Sequence, residues 1–107
     1  MRDLARRGLI RQGDVLLVPV EGVPYQRRLG SGRLVLAEGE VTGHAHVVED
    51  DRASLHGSRD TLFLKVEGDE PVLLVHEEHD TLAVPPGVYE IRRQREYAPG
   101  RSRRVSD

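Results

Sequence analysis

Cysteine is absent from the 107-residue chain, which excludes a disulfide framework, a thiolate metal site and a cysteine nucleophile. Any metal must then be held by histidine and carboxylate. Tryptophan is also missing, and the aromatic residues are only Phe63, Tyr25, Tyr89 and Tyr97. The core is therefore expected to be aliphatic, and the chain lacks the stacking platform of single-strand nucleic-acid binders. The longest apolar run, residues 15–20, is far short of the roughly twenty residues that span a bilayer. The opening Met1-Arg2-Asp3-Leu4-Ala5-Arg6-Arg7 has no apolar signal-peptide core, so no membrane partner and a cytoplasmic location are expected. Lysine occurs once, leaving arginine as fifteen of the sixteen basic residues.

Net charge is near neutral but unevenly spread. Residues 37–80 hold twelve acidic side chains against Arg52, Arg59 and Lys65, whereas residues 91–107 hold six arginines against Glu96 and Asp107. An acidic field attracts cations, and a basic tail suits phosphate or an acidic patch on a second copy. A homo-oligomer is expected on this ground, with nucleic acid or nucleotide as the competing partner of the Arg-rich end.

Short Val-, Leu- and Thr-rich runs alternate with turn signals, and the length fits one domain. The pattern predicts an all-β fold, a small antiparallel β-barrel or sandwich of about seven to eight strands, over 11–97. A charged, helix-like segment at 1–10 precedes it and an Arg-rich tail at 98–107 follows. The expected strands are 14–20, 33–37, 40–49, 53–56, 61–66, 71–75, 81–84 and 88–97. Expected turns lie at 30–32, 38–39, 49–51, 57–58, 68–69 and 85–87. Gly39 could instead be a bulge bending one strand, 33–49, around a barrel corner. The expected core is Leu16, Val18, Val35, Leu62, Leu64, Leu73, Val75, Val84, Tyr89 and Ile91.

Four of the five histidines fall in two clusters, Gly43-His44-Ala45-His46 and His76-Glu77-Glu78-His79. On a strand, Thr42, His44 and His46 share one face while Val41, Ala45 and Val47 share the other, so one face is expected to pack and the other to carry imidazoles. Two imidazoles at that spacing can converge on one cation or one anionic substrate. Glu40 shares their face on a regular strand; Glu49 does so only across a bulge. His76 and His79 lie where an apolar strand emerges, and Glu77 or Glu78 could be a ligand or base. Farther on, Arg95 and Tyr97 share a strand face that could grip a phosphate or carboxylate.

The strings GEVTGHAHVV (39–48), HEEH (76–79) and VPPGVYEIRRQREY (84–97), with RQGDVLLVPV (11–20), resemble a group of small uncharacterised bacterial and phage-encoded proteins. The resemblance implies one signature made of Glu40, Thr42, His44, His46, His76, Glu77, His79, Gln94, Arg95, Glu96 and Tyr97. A second resemblance is to cupins, β-barrels whose metal site takes an H-x-H pair, a nearby Glu and a later His. His44, His46 and Glu49 look like the first cupin motif and Pro85-Pro86-Gly87 like part of the second, although His76 and His79 precede that turn.

Three functions follow as expectations. In the first, His44, His46 and one of His76 or His79, with Glu40, Glu49 or Glu77 completing the shell, bind a divalent metal (zinc, iron or manganese) that could activate water for hydrolysis; His44, His46, His79 and Glu40 are the expected set. In the second, metal-free acid/base chemistry acts on a phosphodiester or nucleotide, with two histidines as base and acid and Arg95 on the phosphate; His76, Glu77 and Arg95 are the expected catalytic residues. In the third, the histidines form a polar network in an oligomeric adaptor.

Overall fold

The computed structural model describes residues 8–22, 27–38, 44–57 and 61–93. Their strands are β1 (Ile10–Gln12), β2 (Val15–Val20), β3 (Arg27–Glu38), β4 (Ala45–Gly57), β5 (Leu62–Val66), β6 (Val72–Val75), β7 (Leu82–Val84) and β8 (Gly87–Arg93). All pairings are antiparallel, and the strands form one nearly closed, barrel-shaped sheet in the order β1-β2-β8-β5-β4-β6-β7, with β3 also paired to β4. The fold class expected from strand-length alternation is therefore the one observed.

β4 organises the sheet because it changes partner along its length. Its first half lies between β3 and β6 through Val47↔Val75, and its second half between β3 and β5 through Leu55↔Leu64. The change occurs at a bulge, where the β3 partners Ser31 and Gly32 are matched by Ser54 and Asp50. An irregularity of this kind bends a strand and sharpens its twist. Asp50 accepts from the backbone N–H and the guanidinium of Arg52, which in turn donates to the carbonyls of Glu70 and Pro71 and so ties the β5–β6 loop to the bulge. The turn expected at 49–51 is thus a bulge inside one continuous strand, where Asp50 binds the neighbouring Arg52 and the chain direction is unchanged. Gly30-Ser31-Gly32, also expected as a turn, lies inside β3. The pairing Glu38↔Ala45 makes β3 and β4 an antiparallel hairpin, which overturns the alternative of one strand running through Gly39.

The core consists of Val15, Leu17, Leu34, Leu36, Ala37, Val48, Ala53, Leu64, Val66, Val72, Leu74, Val84 and Tyr89, with Ile10, Leu55 and Ile91 packed against it. Burying one such Leu or Val is worth about 1.5–3 kcal/mol. Leu64, Val84 and Tyr89 are the expected core residues that are fully buried, and Tyr89 also donates from its hydroxyl to the Pro85 carbonyl across the Pro-Gly turn. In β2, β3 and β6 the expected alternation is out of phase by one residue. Val15 and Leu17 point inward in place of Leu16 and Val18; Leu34 replaces Val35; and Leu73 and Val75 are 55% and 44% exposed while Val72 and Leu74 are buried. These runs are apolar on both faces, so alternation alone does not say which face is inside.

β1 was not expected, since Ile10 falls in the segment assigned to a charged, helix-like N-terminus; Ile10 pairs with Leu17 and packs on the core. Residues 1–7, Glu40, Thr42, Gln94, Arg95, Glu96, Tyr97 and the Arg-rich tail lie outside the described residues.

Candidate functional site

The β1–β2 hairpin, the start of β4 and the β6–β7 connection meet at one place, and each brings polar side chains to it. β1 and β2 are joined by the two-residue loop Gly13-Asp14, bounded by the pair Gln12↔Val15. Gly13 has φ +60°, the left-handed conformation at which a two-residue hairpin loop favours glycine. On β4, His46 is followed by Val48 on the same inward face, and both are buried. This corrects the expected facing of the strand: the imidazole side of β4 is the packed side, while Ala45 and Val47 are half-buried on the other. β6 ends at Val75, and the chain then turns sharply through His76-Glu77-Glu78-His79.

The turn places four imidazoles together. His76 is the hub, with its ring centroid 4.3 Å from His46, 4.6 Å from His79 and 5.8 Å from His44. His46 and His79 are nearly parallel at 5.9 Å. Two clusters thirty residues apart in the chain thus form one group in space. His46 and His76 are buried, His44 is half-buried and His79 is exposed, so the group runs from the interior out to the surface.

Gln12, which the sequence reading did not single out, fixes the chemistry of His46. It is 2% exposed, and its Nε2 donates to the carbonyls of Leu74 and Asp80 at 2.9 and 2.8 Å. Those two acceptors settle which end of the amide is nitrogen, so Oε1 faces His46 Nδ1 at 2.8 Å and can only accept. His46 therefore carries a proton on Nδ1, and in its neutral form the lone pair is on Nε2. Nε2 lies 3.5 Å from Asp14 Oδ1, longer than a hydrogen bond, while Asp14 Oδ2 accepts from Nε and Nη2 of Arg93 at 3.2 and 2.8 Å.

His76 has the opposite arrangement. The Glu78 N–H donates to its Nδ1 at 3.0 Å, so neutral His76 carries its proton on Nε2. Glu77 Oε1 accepts from the Ala45 N–H at 3.3 Å and joins the β6–β7 turn to the start of β4, and Glu78 Oε2 lies 3.4 Å from His44 Nδ1. A hydrogen bond from its own amide, helped by that of Ala45 and by the nearby His44 and His76, outweighs desolvation and holds the Glu77 carboxyl below the usual range.

Burial and then the charge of His76 push the His46 pKa down, with Asp14 opposing and His79 and Arg93 adding to the depression. Asp14 is raised by burial, but its hydrogen bond and ion pair with Arg93 outweigh that and leave its pKa lowered. His46 thus binds a proton less readily in the folded than in the unfolded chain, where its pKa is 6.5. The stability it contributes is complete above that value and is lost as pH falls from it towards the lowered folded value. Urea midpoints measured at about pH 7.5 and about pH 5.5 are expected to drop on acidification, and the drop is expected to shrink in His46→Gln; equal drops in both proteins would locate the sensitivity elsewhere.

Residues 11–94 match the family model described as a domain of unknown function, DUF8820. The chain belongs to this family. No curated protein and no solved structure matches it. The matched DUF8820 region contains Gln12, Asp14, the four clustered histidines, Glu77 and Arg93, so the whole described site lies within it. Arg95 falls just beyond it. Of the residues singled out in the sequence, His44, His46, His76, His79 and Glu77 are brought together, whereas Glu40 and Arg95 lie outside the described residues. Glu49 is exposed on the outward face of β4, three residues from His46, and cannot complete a cupin-like ligand set there. Among the described residues, no three His, Asp or Glu side chains are grouped so as to hold a metal ion. Gln12, Asp14 and Arg93 were missed. The one available signal was Gly13-Asp14 just ahead of the apolar run 15–20, a turn pair that would have put Gln12 and Asp14 at a loop.

Proposed function

We propose that the histidine cluster is a metal-independent proton-transfer site for hydrolysis of an ester or phosphodiester, with His46 as general base and His76 as a neutral hydrogen-bond donor. The reading is carried by the opposite proton placement in two adjacent rings: His46 is held with its lone pair on Nε2, and His76 with its proton on Nε2. In this scheme His46 Nε2 takes the proton of the attacking water, and the ionised Asp14 beside it stabilises the imidazolium that forms. His76 Nε2–H donates to the oxygen that gains charge in the transition state. His46 then returns its proton to the leaving oxygen, which balances the cycle. Because a neutral imidazole does not readily give up its last proton, His76 serves as a donor and the general-acid step falls to protonated His46.

The same placement weighs against metal ligation through His76, since a ligating imidazole needs a lone pair and the Glu78 N–H occupies the one on Nδ1. Two experiments test the reading. Long-range imidazole 15N spectra at neutral pH are expected to show His46 as the Nδ1–H and His76 as the Nε2–H tautomer. Hydrolysis of 4-nitrophenyl acetate and bis(4-nitrophenyl) phosphate in EDTA is expected to fall by about a hundred-fold or more in His46→Ala, the usual scale of general-base catalysis. Equimolar zinc, iron or manganese retained by untagged protein and lost in His46→Ala would instead establish the metal-binding function expected for His44, His46, His79 and Glu40.

A further inference from the structure

A cleft of ≈ 490 Å³ opens between the end of β3 and the ends of β5 and β8, lined by Leu36, Ala37, Leu62, Glu90, Ile91, Arg92 and Arg93. That volume lies in the range of small-ligand pockets. Two observations connect it to the histidines. Ala37 is the direct cross-strand partner of His46, so their Cβ atoms share a face at the spacing of an antiparallel pair, about 4.5–5.5 Å. On the opposite wall, Arg93 binds Asp14, whose other carboxylate oxygen lies 3.5 Å from His46 Nε2. A ligand in the cleft would therefore lie between the residue paired with His46 and the ion pair beside its lone pair.

The walls differ in chemistry. Leu36, Ala37, Leu62 and Ile91 supply an apolar surface, while Arg93, on the same row of β8 as Ile91, brings a guanidinium to it. The Arg92 charge is engaged by Glu90 at 2.9 Å, and Arg93 uses Nε and one Nη2 contact on Asp14 Oδ2. A guanidinium has five N–H donors in a planar fork, so binding one carboxylate oxygen leaves it able to address a second oxyanion.

We infer that this cleft is the ligand compartment of the histidine site and that it takes a small phosphate ester, with its apolar group against Leu36, Leu62 and Ile91 and its phosphate at Arg93. The chemistry at His46 rests on the function proposed above, but occupancy of the cleft does not. Retention of the phosphate ester needs the guanidinium and the apolar wall together, so each part of the ligand alone binds weakly.

Titration of 15N-labelled protein with phenyl phosphate tests the inference. Saturable amide shifts are expected at Leu36, Ala37, Leu62, Ile91 and Arg93, with inorganic phosphate and phenol each binding about ten-fold or more weakly. Arg93→Gln is expected to weaken phenyl phosphate about ten-fold or more, as loss of a charge-assisted contact does. Arg93 also buttresses Asp14, so Leu62→Trp, which fills the cleft from a half-buried position and leaves that ion pair intact, serves as the second variant and is expected to abolish the shifts. No saturable shifts in wild type, shifts confined to other surfaces, or unchanged affinity in folded Leu62→Trp would overturn the cleft while leaving the proton-transfer reading standing. Binding in the cleft by a protein whose His46 tautomer is wrong would sink that reading and leave the cleft.

Discussion

Gln12→Ala is expected to destabilise the protein by about 3–5 kcal/mol, because one truncation strips hydrogen-bond partners from three groups at once. The Leu74 and Asp80 carbonyls lose their shared donor and His46 Nδ1 loses its acceptor, in a region where Gln12 is 2% exposed and His46 is 3% exposed. Each buried polar group left without a partner costs about 1–3 kcal/mol, and losses above about 5 are rare for one substitution. Urea unfolding measures the loss. The same variant is expected to blur the His46 tautomer, since nothing then dictates which ring nitrogen carries the proton. Gln12→Glu separates the two effects: an ionised carboxylate still accepts from His46 Nδ1 but cannot donate to the carbonyls, so stability falls while the tautomer is kept. A Gln12→Ala protein within about 1 kcal/mol of wild type would show that the amide does not bridge the strand seam between β1 and β6.

The Gly13→Ala substitution is expected to cost about 1–2 kcal/mol from backbone conformation alone, because a side chain at φ +60° crowds the following carbonyl. A second effect adds to it. The new methyl would sit 2.6 Å from His79 Nε2, closer than real Cβ contacts, so the imidazole must move off the hairpin. His79 is exposed and its ring can rotate away, which disturbs the group around His76 more than it disturbs the core. In a double-mutant cycle, His79→Ala is expected to recover the steric part of the Gly13→Ala loss and none of the backbone part. Strict additivity of the two substitutions would mean that His79 does not rest on the hairpin.

Both predictions concern a hairpin that the sequence reading passed over, and the reason is physical. His44, His46, His76 and His79 were legible because imidazoles are scarce and their spacing states which of them share a strand face or turn. Their joining was legible only as a possibility, since it depends on β6 pairing with β4 through Val47↔Val75, a contact between residues far apart in the chain. Gln12 is an ordinary polar residue beside a turn, and it acquires a role only when β1 comes against β6. The facing of β4 escapes alternation for a related reason. Hydrophobicity puts Val41, Ala45 and Val47 on the packed side, yet the inward row is His46 and Val48, because the imidazoles are hydrogen-bonded and packed against one another and so tolerate burial.

The class of the fold is legible in the chain alone: period-two alternation in short segments, punctuated by glycine and proline, leaves little but antiparallel strands. So are the materials of the site, since a chain without cysteine and with four histidines in two tight clusters has few other side chains for proton transfer near neutral pH. The tertiary structure decided the rest. Which face of Val15-Leu16-Leu17-Val18 and Val72-Leu73-Leu74-Val75 is inside follows from register, a property of strand pairs that an apolar run on its own does not encode. The protonation pattern of His46 and His76 follows from Gln12 and Glu78, because a tautomer is set by whatever hydrogen-bonds to the other nitrogen, and for His46 that partner arrives from a strand 34 residues away.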